Sequence, residues 1–147
     1  YLLDQLVKRF GYHEPKLDQV FDLLAEISPG IAEHGTFNFC LSNGQALFSY
    51  AITKLHWLVR EYPFRPAQLI DIDVEVDFSQ VTTREDRVAV ITTEPLTQNE
   101  EWTAFQPGEM ILFQHGMKVR SQVTHVERLE RERLDPSLKR ITRADQY

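Results

Sequence analysis

Phe37-Asn-Phe-Cys-Leu-Ser-Asn-Gly-Gln-Ala-Leu-Phe-Ser-Tyr50 reads as a β-hairpin, and the rest of the chain is arranged around it. Asn43-Gly44 is the dipeptide a two-residue type I′ turn demands, because both central residues of that turn take positive φ. Phe37, Phe39 and Leu41 alternate with Asn38, Cys40 and Ser42, so the first strand shows one apolar and one polar face. The return strand is apolar on both faces around Leu47 and Phe48, which places it inside a sheet covered on two sides.

Two helices precede the hairpin. Leu2, Leu3, Leu6, Val7 and Phe10 recur at helical spacing, and Gly11 stands where a residue past a helix end adopts positive φ. A second helix starts near Pro15, with Leu17, Val20, Phe21, Leu24 and Ile27 as its apolar stripe. Pro29-Gly30 is expected to interrupt it, leaving a last turn that runs to His34 before Gly35. The two helices should pack antiparallel on one face of the sheet. The chain opens on Tyr1 with no capping residue before it, so residues 1–10 read as the later part of a helix within a longer polypeptide.

Strands follow the hairpin. Leu55–Val59 reads as a third strand, and Tyr62-Pro-Phe-Arg-Pro66 as a loop, since proline removes ladder donors. In residues 69–78, Ile70, Ile72, Val74, Val76 and Phe78 alternate with Asp71, Asp73, Glu75 and Asp77, the pattern of one half-exposed strand or two short ones. Val88–Thr93 is a buried-type strand, and residues 94–105 are a long loop holding Trp102. A final hairpin turns at His115-Gly116. From Glu127 the chain is a charged stretch, either a short helix or a loose tail. Helices followed by a run of strands indicate an α+β fold with helices on a largely antiparallel sheet. The division is residues 1–125 as one domain and 126–147 as a charged C-terminal tail.

Bulk properties exclude several classes. The 147 residues suffice for one domain with a core, and 42% hydrophobic and 26% charged residues are ordinary for a globular protein. A net charge of −6 argues against general nucleic-acid binding. No apolar run matches a membrane span, and no signal-peptide pattern is present. One cysteine rules out an internal disulfide or a multi-cysteine zinc site. A reducing, cytoplasmic setting follows as the expectation, with no cofactor and no metal.

Few residues carry chemistry. The ladder Asp71, Asp73, Glu75, Asp77 spaces alternate carboxylates about 7 Å apart on one strand face, as for a metal or an acid–base pair; a solvated face that discourages edge pairing is the plainer reading. Cys40 sits mid-strand among apolar neighbours, with no histidine tied to it in sequence, which favours a packed core residue over a nucleophile. Among the five histidines, His56 beside Trp57 is the one site candidate. Thr93 and Glu94 form the other candidate position, because a strand there ends in polar residues and feeds the long loop. The alternative for that loop is a capped turn packed under Trp102.

The hairpin run, with Leu55-His-Trp57 and Tyr62-Pro-Phe64, resembles the second half of class-II glutamine amidotransferase domains. Asp73–Phe78, Val90–Trp102 and Gln106–Phe113 are similar to the same family's stand-alone members, and the similarity spans roughly residues 1–120. The resemblance implies an N-terminal-nucleophile hydrolase, a four-layer α-β-β-α sandwich with mostly antiparallel sheets. It further implies hydrolysis of glutamine to glutamate and ammonia by the thiol of an N-terminal cysteine, with that residue's own α-amine as base. An Asn-Gly pair of the first half forms the family's oxyanion hole, and an arginine and an acidic residue of that half hold the glutamine α-carboxylate and α-amine. None of these can be placed on this chain. Asn43-Gly44 lies in different surroundings, and the nucleophile and the acidic residue are expected upstream of Tyr1.

The chain therefore reads as the C-terminal half of such an enzyme, inactive alone. Its expected partners are L-glutamine, bound through the missing half, and that half itself across a large apolar interface. A homo-oligomer or an ammonia-accepting synthase is a further expectation; nucleic acid and membrane are not. The competing reading is a non-catalytic α+β binding or assembly module that retains the fold.

Overall fold

In the computed structural model, which describes residues 1–71, 75–77 and 82–138, the hairpin forms with a different turn from the one its sequence suggests. Strand β1 (Asn38–Ser42) pairs antiparallel with β2 (Ala46–Ala51), and Ser42 stands opposite Leu47. Residues 43–46 thus make the connection. Gly44 has φ 86°, but Asn43 is not in the positive-φ region, so a type I′ turn is excluded here. Asn43 serves instead as a side-chain acceptor. Its Oδ1 takes the N–H groups of Gln45 and Ala46, both at 3.0 Å. Ser42 Oγ accepts from the Gly44 N–H at 3.0 Å and donates to the Ala46 carbonyl at 2.9 Å. The asparagine closes the turn by its amide oxygen rather than by its backbone.

The paired positive φ angles occur at His115 (50°) and Gly116 (71°). These two residues join β8 (Glu109–Gln114) to β9 (Met117–Val123), with Gln114 opposite Met117. Here the glycine is required twice over. Its φ is left-handed, and a Cβ would overlap the carbonyl of Arg87.

A four-stranded antiparallel sheet runs β1-β2-β8-β9. Its central pair is buried on both faces, as the sequence of β2 suggests. On one face Phe48, Tyr50, Met110 and Leu112 pack against Val20, Phe21, Leu24 and Ala25, all on α2 (Leu17–Ala32). Leu2, Leu6 and Phe10 of α1 (Leu2–Phe10) join this cluster. Phe37 and Phe39 complete it, their rings within 5.9 Å of each other and of Tyr50. A cation ties β9 to the helix: Arg120 lies 4.1 Å from the Phe21 ring and reaches Asp18 at 3.1 Å and Asp22 at 2.6 Å.

On the opposite face Ala51, Ile111 and Phe113 meet Leu55, Phe105, Trp57, Ala89 and Ile91. Most of that partner surface is a second antiparallel sheet, ordered β6-β3-β7, from β6 (Arg87–Thr92), β3 (His56–Glu61) and β7 (Thr103–Ala104). The layers are therefore helix, sheet, sheet, within an α+β fold.

Four expectations are corrected. First, α2 passes through Pro29-Gly30 to Ala32 instead of breaking. Proline near the last turns removes one donor, and Ser28 Oγ donates to the Leu24 carbonyl at 2.6 Å beside it. Second, β6 is half-exposed, with Val88 44% accessible; it is an edge strand whose outer face is left open. Third, Cys40 is exposed, because it lies on edge strand β1, and its Sγ is 3.3 Å from the Ser49 hydroxyl. Fourth, α1 carries two apolar rows and only one is packed: Leu3 and Val7 are 64% and 56% accessible.

Within the alternating acidic stretch β5 (Glu75–Val76) forms, paired with β4 (Ala67–Gln68) just before the stretch. Residues 72–74 and 78–81 lie outside the described residues, and with them Asp73 of the carboxylate ladder; the Glu75 side chain does also. The charged stretch begins as a helix, α3 (Glu127–Leu134). Arg128 docks it on the end of α2: Nε donates to the Ala32 carbonyl at 2.8 Å, and Glu33 accepts from the Arg128 N–H at 2.9 Å.

The two turn glycines differ in their surroundings, so their substitution should differ in cost. Gly44→Ala meets nothing within 4 Å and should lose about 1 kcal/mol from its φ alone. Gly116→Ala adds the clash with Arg87 and should lose at least ~2 kcal/mol. Urea midpoints of the two variants check this order.

Candidate functional site

β3 and β6 run side by side with His56 opposite Thr92, which brings the three sequence candidates to one end of the second sheet. His56 Nδ1 lies 3.1 Å from the Thr93 carbonyl. A carbonyl oxygen only accepts, so Nδ1 carries the proton and Nε2 is the basic nitrogen of the neutral ring. Thr92 Oγ1 donates to the Glu94 carbonyl at 2.7 Å and turns the chain out of the strand. The Glu94 carboxylate meets Lys54 Nζ at 3.1 Å, with side chains 63% and 78% accessible; so exposed a pair adds little stability. Asn38 braces the neighbouring loop: its Oδ1 accepts from the N–H groups of Ile52 and Thr53 at 2.9 and 3.1 Å. His56, Thr93 and Glu94 are thus brought together. Asp71 and Asp77, both exposed, belong to a separate part of the chain.

A second polar cluster, which sequence reasoning missed as a unit, lies on the outer face of the same sheet. Trp57 faces the first sheet, so alternation puts Leu58 and Arg60 on the far side. Arg60 grips Glu100 with two hydrogen bonds of 2.7 Å, and the side chains are only 18% and 17% accessible. Thr97 Oγ1 donates to Glu100 at 2.6 Å and accepts from Trp102 Nε1 at 3.0 Å. Trp102 anchors the loop in this way. Arg60's hydrogen bonds hold the Glu100 carboxyl below its ordinary value; Thr97 acts in the same direction and burial opposes both. Arg60 and Glu100 are forty positions apart, and nothing local in the sequence couples them. The usable signal was the loop itself, in which Thr97, Glu100 and Trp102 stand close together.

Cys40 and His56 do not form a nucleophile–base pair. Cys40 meets a hydroxyl, and His56 meets a main-chain oxygen. Among the described residues no cluster of three or more His, Cys, Asp or Glu side chains is arranged for a metal. No described helix is long and apolar enough to cross a membrane.

The family described as class-II glutamine amidotransferases matches residues 1–137. The chain belongs to this family. It is 42% identical over 119 residues to "Putative glutamine amidotransferase YafJ" of Escherichia coli, covering 81% of this chain and 47% of that protein. A protein of Haemophilus influenzae with the same description, apart from the YafJ designation, is 39% identical over 119 residues, covering 81% of this chain and 40% of the relative. The crystal structure of a predicted glutamine amidotransferase from Pseudomonas aeruginosa superposes with a TM-score of 0.67 at 36% identity, over 81% of this chain and 47% of that one. The chain thus spans about half the length of the relatives it matches. The family match extends past Val126 into the α3 region, beyond the similarity seen in the sequence alone.

Glu100 gives a pH-dependent contribution of known sign. Its folded-state value lies below the ordinary 4.5, so the pairing stabilises fully above that value and is lost as pH falls through the folded value. Glu100→Gln should therefore be destabilising near neutrality. The gap between variant and wild type should narrow below about pH 4, as measured by denaturant unfolding across pH.

Proposed function

We propose that this chain is the C-terminal part of a class-II glutamine amidotransferase that hydrolyses glutamine to glutamate and ammonia. The attacking thiol is the N-terminal cysteine of a segment outside residues 1–147. Family membership supports the reaction class. The observation that carries the division of labour is the environment of Cys40: the chain's one cysteine is exposed on an edge strand beside the Ser49 hydroxyl, not beside a base. Nucleophilic thiols sit beside a cation or a base, whereas the described partner of Cys40 is a hydroxyl. Residues 1–125 supply the scaffold in this reading: two sheets, the helix pair, and the His56–Thr93–Glu94 end. The outer face of β6, with Val88 exposed, is where the upstream segment adds cover as part of a fourth layer. A cytoplasmic setting goes with this chemistry.

Glutamate release from glutamine tests the proposal. Residues 1–147 alone should show none, while the polypeptide extended upstream to its N-terminal cysteine should turn glutamine over. Replacing that upstream cysteine with alanine should cost on the order of a thousandfold or more. Cys40→Ser in the extended protein should stay within about twofold of wild type. A glutamine-analogue diazoketone should label the upstream thiol and leave Cys40 unmodified. Turnover by residues 1–147 alone, or its loss in Cys40→Ser, would sink this reading. An extended protein without turnover would favour the non-catalytic module.

A further inference from the structure

The loop after β6 is more than a connection. Residues 94–102 and residues 66–70 are stitched to each other along their backbones. The Ile70 N–H donates to the Leu96 carbonyl at 3.0 Å and the Gln98 N–H to the Gln68 carbonyl at 3.1 Å. Leu69 and Thr97 form an antiparallel bridge. Asn99 works both ways, accepting from the Gln68 N–H at 2.8 Å and donating to the Pro66 carbonyl at 2.9 Å. The two loops are therefore one ribbon with its own hydrogen bonds. Beneath it, on the outer face of β3, Leu58 is 4% accessible, while Val88 on β6, beyond Arg60, is 44% accessible. The ribbon reaches this face of β3 through the Arg60–Glu100 pair.

We propose that this ribbon is a strap latched to the second sheet by the Arg60–Glu100 pair, and that it opens as a unit when the latch is removed. The latch is built from charge and geometry together. Glu100 accepts two bonds from Arg60 and one from Thr97. Both charged side chains are mostly covered, so solvent and salt screen them weakly. Removing Glu100 takes both 2.7 Å bonds from the mostly covered Arg60 and the strap's own charged anchor to β3, which favours opening. Off the sheet a two-stranded ribbon is only marginally stable in water, so its internal bonds open together as it lifts, which makes the opening local and cooperative. Because the strap starts at Glu94, the same latch fixes where that carboxylate stands against Lys54. The proposal holds whether or not the protein hydrolyses glutamine.

Hydrogen exchange on the full-length protein tests it, comparing wild type with Glu100→Gln and Thr97→Val. In Glu100→Gln the amides of Gln68, Ile70 and Gln98 should exchange about tenfold faster or more, and by a common factor. Amides of β2 and β8 should stay within about twofold. Thr97→Val removes two hydrogen bonds, the one to Glu100 and the one from Trp102, and keeps the ion pair, so the same three amides should accelerate less. If Glu100→Gln does not fold, Thr97→Val decides alone. Wild-type rates at all three amides in the folded variants would overturn the latch. Acceleration of β2 and β8 equal to that of the strap would overturn its independence.

Discussion

The structure depends on one constraint: β2 and β8 pair at the centre of a sheet whose two faces are both apolar. Phe48, Tyr50, Met110 and Leu112 need cover on one side, and Ala51, Ile111 and Phe113 need it on the other. Each large side chain removed from water contributes about 1.5–3 kcal/mol, so neither face can be left open without losing much of the fold. The helices meet the first demand and the second sheet meets the second. Tyr50 shows how a polar tip is managed at this depth: its hydroxyl lies 3.0 Å from Thr124 Oγ1, which in turn donates to the Gly108 carbonyl. Burial raises the Tyr50 phenol above its usual range, with the Thr124 bond opposing that shift, and the network is satisfied with the ring neutral.

Much of this was legible in the sequence because it is written in periodicity. Double-sided burial of β2, the stripe of α2, the hairpin at His115-Gly116 and the α+β order all follow from spacing. What failed was inference from composition at single positions. Asn-Gly suggested backbone φ at both residues, whereas Asn43 acts through its side chain; that choice depends on the offset of the pairing register, which no dipeptide encodes. Pro29-Gly30 suggested a break, but packing of Phe21, Leu24 and Ala32 in the core outweighs one missing donor. Cys40 suggested a core residue because its sequence neighbours are apolar. Its face of β1 lies at a sheet edge, and edge position is a tertiary property.

The candidate site divides in the same way. His56 stood out as the histidine beside Trp57 on a strand, and Thr93 and Glu94 because a strand ends there; antiparallel pairing of β3 with β6 then forces them together. The Arg60–Glu100 pair was invisible because its partners meet only after the loop folds back across the sheet. Its low-lying carboxyl follows from that approach and from no local pattern. Long-range pairs between a strand side chain and a loop carboxylate are what single-sequence reasoning reaches last, since either residue alone looks like ordinary surface charge.

Coverage of the second sheet is uneven, and the unevenness has a physical meaning. Over β3 Leu58 is buried and the ribbon of residues 66–70 and 94–102 is fastened by the Arg60–Glu100 pair, whereas Val88 on β6 and Leu96 and Ile70 on the ribbon's outer side stay 44–53% accessible. On the helical side, Leu3 and Val7 of α1 face water while Leu2, Leu6 and Phe10 pack inward. Isolated exposed apolar residues are normal in a soluble protein. Here they fall in rows, on elements whose opposite faces are well packed, at both outer layers of the fold. A ribbon held by its own hydrogen bonds and by ion pairs from Arg60 and Lys54 needs little apolar area to close over β3. The open rows, by contrast, offer area without polar anchors, the kind of surface that another packed layer covers. The strap and the open rows thus divide the periphery into a part this chain closes itself and a part suited to the upstream segment of the proposed enzyme.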